Sequence, residues 1–353
     1  MGEKHQVRFE PVDLVMEVDE DETVLDAAFR QGISLMHGCR EGQCSACKSF
    51  LIDGDVQMDR YSTFALADYE SDEGYVLLCK SHAYSDLVIE LINFDAEELR
   101  NAIPLQHLRT TISAIEPVTH DIVSLRLTLD EPLAFTFRPG QYADVQLPDQ
   151  PGHRSFSMAT TSRNLGEVEF LIKKYPGGHF SGLLEGGLAV GDPLELDGPY
   201  GSFTLRQGAE RPVVCVGGGA GMAPILSLLR HMAEEKVERP VSFYYGARSE
   251  ADLFYLDEIA ALGSQLKEFR FVACLSQSWP EVDGRPDFSA LGIEGQTGLV
   301  TDIVERLEVD LAACDVYLCG PPPMVDAAIA LMEASSVPVE QVHFDKFTTS
   351  VGP

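Results

Sequence analysis

Four cysteines place the tightest constraint on this 353-residue chain. Cys39-x4-Cys44-x2-Cys47 lies on one short stretch, and Cys79 follows after 31 further residues. A [2Fe–2S] centre needs four thiolates, and three on one loop with a distant fourth meet that need. Gly38, Gly42, Ser45 and Ala46 are small, so backbone N–H groups can approach the sulfurs. Zinc is the competing reading, because Cys44-x2-Cys47 is half of a zinc ribbon. A ribbon usually ends in a second close pair, however, and Cys79 stands alone. The expectation is therefore a cluster, and with it a fold that carries Cys79 back to the loop.

Charge narrows the partners. The chain has 26 Lys and Arg against 56 Asp and Glu, a formal net charge of -30. Such acidity disfavours nucleic acid and anionic membrane surfaces. It suits either a basic docking face or simple solubility, and charge alone does not choose between them. Met1 to Gln6 contains no apolar signal region. Gln6 also stands where myristoylation requires Ser or Thr. No apolar run approaches a membrane-spanning length, so a cytoplasmic protein with reduced thiols is expected.

Three textures follow one another. Up to about residue 98 the pattern gives a hairpin (Gln6 to Phe9, Val15 to Val18) and a helix over Glu22 to Arg30. The cysteine loop follows, then a closing strand, Leu87 to Leu91. This part carries about half of the acidic excess. Residues 99–106, with Pro104, read as a linker. Next come short alternating strands between Pro/Gly turns, including Ile122 to Leu127, Tyr142 to Leu147 and Val168 to Ile172, which suggest an antiparallel barrel. From Arg211 apolar strands alternate with helices, expected at Ala223 to Glu234 and Asp252 to Leu262. That rhythm indicates a parallel, doubly wound sheet.

Two further motifs carry chemistry. Arg154-Ser155-Phe156-Ser157 offers a cation for a flavin phosphate, an aromatic ring for stacking and a hydroxyl for the ring nitrogen. Arg138-Pro139-Gly140-Gln141-Tyr142 precedes it, and Gly177-Gly178-His179-Phe180-Ser181 opens a short helix whose free N–H groups suit a pyrophosphate. The alternative is a pair of glycine-rich barrel turns. Further on, Gly217-Gly218-Gly219-Ala220-Gly221-Met222 links a strand to a helix, the arrangement that cradles a dinucleotide. Its Gly-x-Gly-x-Gly-x-x-Pro pattern departs from the strict fingerprint. Cys319-Gly320-Pro321-Pro322 and the terminal His343-Phe344-Asp345-Lys346-Phe347 complete the set. Cys215, Cys274 and Cys314 read as structural.

In this order the motifs resemble the ferredoxin–NADP reductase superfamily, and the whole chain resembles the reductase components of bacterial oxygenases. The resemblance implies a multidomain protein. Its parts would be an α+β β-grasp plant-type ferredoxin domain (1–98), a linker (99–106), an antiparallel β-barrel FAD domain (107–207) and an α/β doubly wound NAD-binding domain (208–353). It implies that Ser157, Cys319 and Asp345 surround the site of hydride transfer. Tyr142, Arg154, Ser155, Phe156, Lys173, Gly177, Gly178, Ser181 and the lid Phe347 would hold FAD. Gly217, Gly218, Gly219, Gly221, Met222, Gly320 and Pro321 would hold the nicotinamide nucleotide. Asp345 stands where Glu is common, and Phe156 where Tyr is common.

NADH is expected over NADPH. Ser276-Gln277-Ser278 lacks the Arg that reads a 2′-phosphate, and carboxylates follow Arg248 in Ser249-Glu250-Ala251-Asp252. The resemblance implies electron flow from NADH through FAD and the cluster to the hydroxylase of a di-iron monooxygenase, propane type first. It rests on the wording Met36 to Cys44 and Asp59 to Leu66. A Rieske ring dioxygenase, a phenol-type hydroxylase or a cytochrome P450 are alternative acceptors. For the chain itself the alternative is a plain electron-carrier ferredoxin, its remainder an interaction module with a dead flavin site. The reductase is expected to be a monomer on its own, docking its partner through Glu41, Asp68, Glu70, Asp72 and Glu73.

Overall fold

The computed structural model describes residues 2–92, 94, 99, 103–131, 135–163, 166–277 and 293–347. Part of the expected linker, its boundary at residue 98, and Ser278 lie outside them. Contacts divide the chain into two compact units. One comprises residues up to Gln106 together with Pro199–Ser202, and the other His107–Gly198 with Phe203–Phe347.

The first unit is built on a mixed sheet. Strands β1 (Lys4–Glu10) and β2 (Leu14–Asp19) form the expected hairpin. The others are β3 (Lys48–Asp53), β4 (Val56–Met58), β5 (Tyr75–Leu77), β6 (Ser81–Ala83) and β7 (Leu87–Leu91). The main sheet has the order β2-β1-β7-β3-β5, with β1 and β7 parallel, and β4 pairs with β6. Alternation explains the pairing: Val7, Phe9, Met16, Val18, Leu87, Ile89 and Leu91 all point into one core. Helix α1 (Val24–Arg30) starts two residues later than the sequence pattern suggests, because Thr23 is its N-cap and accepts from the Asp26 N–H. It buries Val24, Leu25, Ala27, Ala28 and Phe29. A short helix, α2 (Asp68–Asp72), lies between β4 and β5.

The second unit contains a six-stranded antiparallel sheet and a six-stranded parallel one. The antiparallel strands are β8 (Gln106–Pro117), β9 (Ile122–Leu129), β10 (Tyr142–Gln146), β11 (His153–Ser157), β12 (Glu167–Lys173) and β13 (Pro193–Tyr200). Their order is β11-β10-β13-β8-β9-β12, and a bridge between Met158 and Phe170 joins the run after β11 back to β12. The sheet thereby curls into a barrel around Leu125, Leu127, Val145, Met158, Phe170 and Leu196. After β12 comes α3 (His179–Gly182).

The parallel sheet has the order β17-β16-β15-β14-β18-β19. Its strands are β14 (Val213–Gly218), β15 (Val241–Ala247), β16 (Phe269–Leu275), β17 (Ile293–Thr297), β18 (Asp315–Gly320) and β19 (Val342–Lys346). The helices are α4 (Met222–Glu234), α5 (Leu256–Gly263), α6 (Val300–Leu307) and α7 (Pro322–Ala334). The chain turns from one side of β14 to the other at β18. The carboxyl ends of β14 and β18 therefore flank the crevice where doubly wound sheets bind ligands. One helix departs from expectation. The Asp252–Leu262 pattern divides into a single turn at Glu250–Asp252, capped by Ser249, and a helix from Leu256. Between them Tyr255 takes a left-handed conformation, φ 56°, which helical repetition does not permit.

Candidate functional site

Strand pairing delivers the distant cysteine. β3 and β5 are antiparallel with Lys48 opposite Leu77, so Cys47 and Cys79, just beyond those residues, arrive at the same end. Leu78 donates its N–H to the Cys47 carbonyl at 3.2 Å, and the two sulfurs lie 3.3 Å apart. The other two thiols sit on a tight loop. Arg40, Gly42 and Ser45 all have positive φ, which turns successive N–H groups inward. Glu41 and Gln43 donate N–H groups to Cys39 Sγ at 3.4 and 3.2 Å, and Cys39 donates to Cys44 Sγ at 3.2 Å. Gly42 is required there: a Cβ on it would stand 2.9 Å from Tyr61 Cβ.

The donor set fits two irons rather than one zinc. Tetrahedral thiolates around zinc, with Zn–S near 2.3 Å, lie about 3.8 Å apart. Among the described residues no three of these cysteine sulfurs fall within 4.8 Å of one another. They sort instead into pairs, Cys39 with Cys44 and Cys47 with Cys79. The pairs remain close enough for Cys39 to push up the Cys79 thiol, after the larger effects of Cys47 and burial. Cys39 itself is pulled down to about 7, first by its hydrogen bond with Cys44 and then by the N–H groups around it. Cys44, Cys47 and Cys79 are buried, while Cys39 is partly exposed.

A histidine beside the loop ties it to a distant part of the chain. His37 is buried; its Nδ1 lies 2.7 Å from the Leu35 carbonyl, and its Nε2 accepts the Gly201 N–H at 2.6 Å. Burial pushes its pKa down to about 4, so the ring is neutral with the proton on Nδ1. The Arg40 guanidinium stacks 3.9 Å from the Tyr200 ring centre in the same unit. A pattern of local spacing has no way to register such long-range partners.

In the second unit the motifs meet. β10 and β11 place Tyr142 opposite Ser157, and β18 and β19 place Cys319 opposite Asp345. Ser157 Oγ donates to Asp345 Oδ2 at 3.3 Å across 188 residues. Asp345 keeps some exposure as a residue, but its carboxyl group is enclosed. Burial pushes it up to about 6, against a smaller opposing pull from Ser157. Burial, then the Asp345 charge, push the Cys319 thiol well up, so it is neutral. The Phe347 N–H donates to the Gly320 carbonyl at 2.9 Å, beside the same group.

The glycine loop touches this cluster. A Cβ on Gly221 would lie 2.2 Å from the Cys319 carbonyl oxygen, so only glycine lets the two loops meet. Gly217, Gly218 and Gly219 lead to Met222, the first residue of α4, whose N-terminus opens on the crevice. Pro321 caps α7 from the same side. Met324, which had no assigned role, sits over this floor, with its sulfur 2.7 Å from the position of a Cβ on Gly218.

Lys173, Gly177, Gly178 and Ser181 line a single cavity of about 910 Å³, together with His120 and Arg248. Ser181 Oγ accepts the Tyr175 N–H at 2.9 Å, and Lys173 Nζ lies 3.0 Å from Asp121. Arg154 and Ser155 do not line it. Arg154 donates to the His153 carbonyl, and Ser155 to Asp144 at 2.6 Å. Phe156 packs against Phe180, 5.0 Å between ring centres. Arg248 stands 3.7 Å from both Asp121 and Asp252.

A cluster loop, a flavin-type barrel and a dinucleotide crevice in one chain define a nicotinamide-nucleotide-dependent flavin and iron–sulfur oxidoreductase. Comparison agrees part by part. Residues 7–84 match the 2Fe-2S iron-sulfur cluster binding domain, 109–205 the oxidoreductase FAD-binding domain and 215–329 the oxidoreductase NAD-binding domain. The propane 2-monooxygenase reductase component of Mycolicibacterium smegmatis is 61% identical over 352 residues, 99% of each chain. That of Rhodococcus jostii is 60% identical, over 99% of this chain and 93% of that protein. A cytochrome P450 reductase of Amycolatopsis superposes with a TM-score of 0.82 at 28% identity, covering 98% of this chain and 100% of that one. The chain belongs to the family of oxygenase reductase components with ferredoxin, FAD and NAD domains. Its electron acceptor is accordingly an oxygenase. No helix among the described residues is long and apolar enough to cross a membrane.

Proposed function

We propose that this reductase serves the hydroxylase of a di-iron monooxygenase that oxidises propane or a similar short alkane. The carrying observation is a gap in similarity. Propane 2-monooxygenase reductase components are 58 to 61% identical along the chain, against 34% for a toluate dioxygenase component and a phenol hydroxylase component. The same reading makes it a cytoplasmic monomer with domains at 1–98, 107–207 and 208–353.

Each group of residues has a task. Bound flavin supplies the conversion of a two-electron donor into single-electron steps. Arg154, Ser155, Lys173, Gly177, Gly178 and Ser181 bind its phosphates, and Tyr142, Phe156 and Phe347 bound the ring site. Gly217 to Gly221, Met222, Gly320 and Pro321 hold the nicotinamide nucleotide. Ser157 and Asp345 orient and hold a proton at the reacting face, and buried Cys319 keeps water out. Cys39, Cys44, Cys47 and Cys79 hold the irons, with the exposed edge of Cys39 as the exit.

Docking falls on the acidic side of the cluster loop. Glu41, Asp68, Asp72 and Glu73 are exposed there, with Phe64 (95% exposed) and Tyr69 beside them. Glu70 contributes less, because it is paired with Lys48 at 2.7 Å and caps the Ala67 N–H. Reconstitution tests the reading. NADH-driven propane oxidation is expected with a propane-type hydroxylase, weakening as salt rises. Equal turnover with a Rieske dioxygenase, or binding indifferent to salt, counts against it.

A further inference from the structure

Donor and acceptor of the hydride are held by different halves of the second unit. Ser157 and the phosphate-binding loop belong to the barrel, whereas the glycine loop, Cys319 and Asp345 belong to the parallel sheet. Their spacing therefore depends on whatever fastens one half to the other. That fastening is concentrated on α4, the helix that begins at the glycine loop. Ser227, fully buried, donates to the Thr160 carbonyl at 2.5 Å and accepts the Gly140 N–H at 3.3 Å. One turn on, Arg230 donates to the Ala159 carbonyl at 2.7 Å and to Glu169 at 3.0 Å.

Glu169 is the hub. It stands on β12, 7% exposed, and accepts from Ser124 Oγ at 2.8 Å and Tyr255 Oη at 2.6 Å as well as from Arg230. Glu258, on α5, holds the other side of Arg230 at 2.7 Å. Tyr255 reaches the hub from the left-handed position that breaks the expected helix, so the chain departs from regular structure where this contact is made. The anchors on the barrel side, Ala159 and Thr160, follow Ser157 by two and three residues. A shift of α4 against them moves the glycine loop relative to the serine that faces the reacting ring.

We propose that Arg230, Glu169 and Tyr255 are positioning residues that fix the distance between the nicotinamide and flavin sites. None of them is among the residues assigned above to the cofactor sites. They work by locking α4 to the strand run of Ser157, and a small misplacement of reacting atoms costs a large factor in rate. The proposal rests on the hydride site assigned above.

The test uses the full chain with Glu169→Gln, Arg230→Lys and Tyr255→Phe. In cofactor-free protein, amide hydrogen exchange of residues 155–160 and 222–227 is expected to quicken in each variant. In the loaded protein, flavin reduction by NADH is expected to slow about tenfold, with KM for NADH within about twofold. Faster exchange with an unchanged reduction rate overturns the positioning role, and native exchange overturns the lock itself. If the charged variants fail to fold, Tyr255→Phe decides, because it removes one hydroxyl only. Wild-type protein that NADH does not reduce would sink the hydride site instead, leaving the exchange result to judge the lock.

Discussion

Two buried carboxylates in the second unit have opposite surroundings. Glu169 accepts from Ser124, Tyr255 and Arg230, and Arg230 brings a full positive charge. Burial raises its pKa, but those partners outweigh burial and hold it below the ordinary range. Among the described residues Asp345 has one donor, Ser157, at 3.3 Å, and burial pushes it up to about 6. A saturated carboxylate is a fixture. An under-supplied one stays ready to take a proton near neutral pH, as a group beside a reacting centre must. The barrel and the parallel sheet contribute to both, and of the two it is the Asp345 carboxylate that is left under-supplied.

The largest effect should come from the reactive member. Asp345→Asn is expected to slow flavin reduction by NADH about a hundredfold in single-turnover measurements. It should also stabilise the fold by about 1–2 kcal/mol at pH 7 in urea titrations, since removing an ill-placed charge relieves its burial. Glu169→Leu should do the reverse. It leaves Arg230 with Glu258 as its remaining carboxylate partner and removes the acceptor of Ser124 and Tyr255, at an expected cost of about 3 kcal/mol of stability with a smaller loss of rate. Equal behaviour of the two variants would break the comparison.

pH separates them further. The Asp345 pKa is raised from 3.8 to about 6 in the folded state, so the native protein binds the extra proton in that window. Its destabilising contribution is absent below 3.8, grows between 3.8 and 6, and is complete above. Glu169 is lowered, so its stabilisation is present above its unfolded value near 4.5 and is lost as pH falls through the lower folded value. The stability difference between wild type and Asp345→Asn should thus widen from pH 4 to 7, and that for Glu169→Gln should shrink on acidification below 4.5. The smallest effect belongs to Ser157→Ala. It removes a long hydrogen bond and should raise the Asp345 pKa slightly, with a severalfold slower reduction.

What could be read in the sequence follows the range of each interaction. The cysteine set, the glycine loop and the strand rhythm are local patterns, and local patterns survive in one dimension. Asp345 and Ser157, 188 residues apart, were joined only by resemblance to a family. The Glu169 hub had no signal at all, because periodicity shows that a strand face is covered but not by which side chain. Tyr255 was absorbed into a helix that the cap at Ser249 and its own left-handed backbone interrupt. Arg154 and Ser155 were legible as a motif, but their donation to His153 and Asp144 was not, because side-chain reach decides it.

The central claim is that electrons from NADH leave this chain through four cysteines. The most direct measurement is an anaerobic NADH titration of the full chain, followed by paramagnetic resonance and by the flavin band. Reduction of the flavin with appearance of the signal of a one-electron-reduced [2Fe–2S] centre is the predicted result, and Cys79→Ser should remove the signal while the flavin still bleaches. Flavin bleaching in the wild type with no cluster signal, or one zinc in place of two irons, would contradict the account.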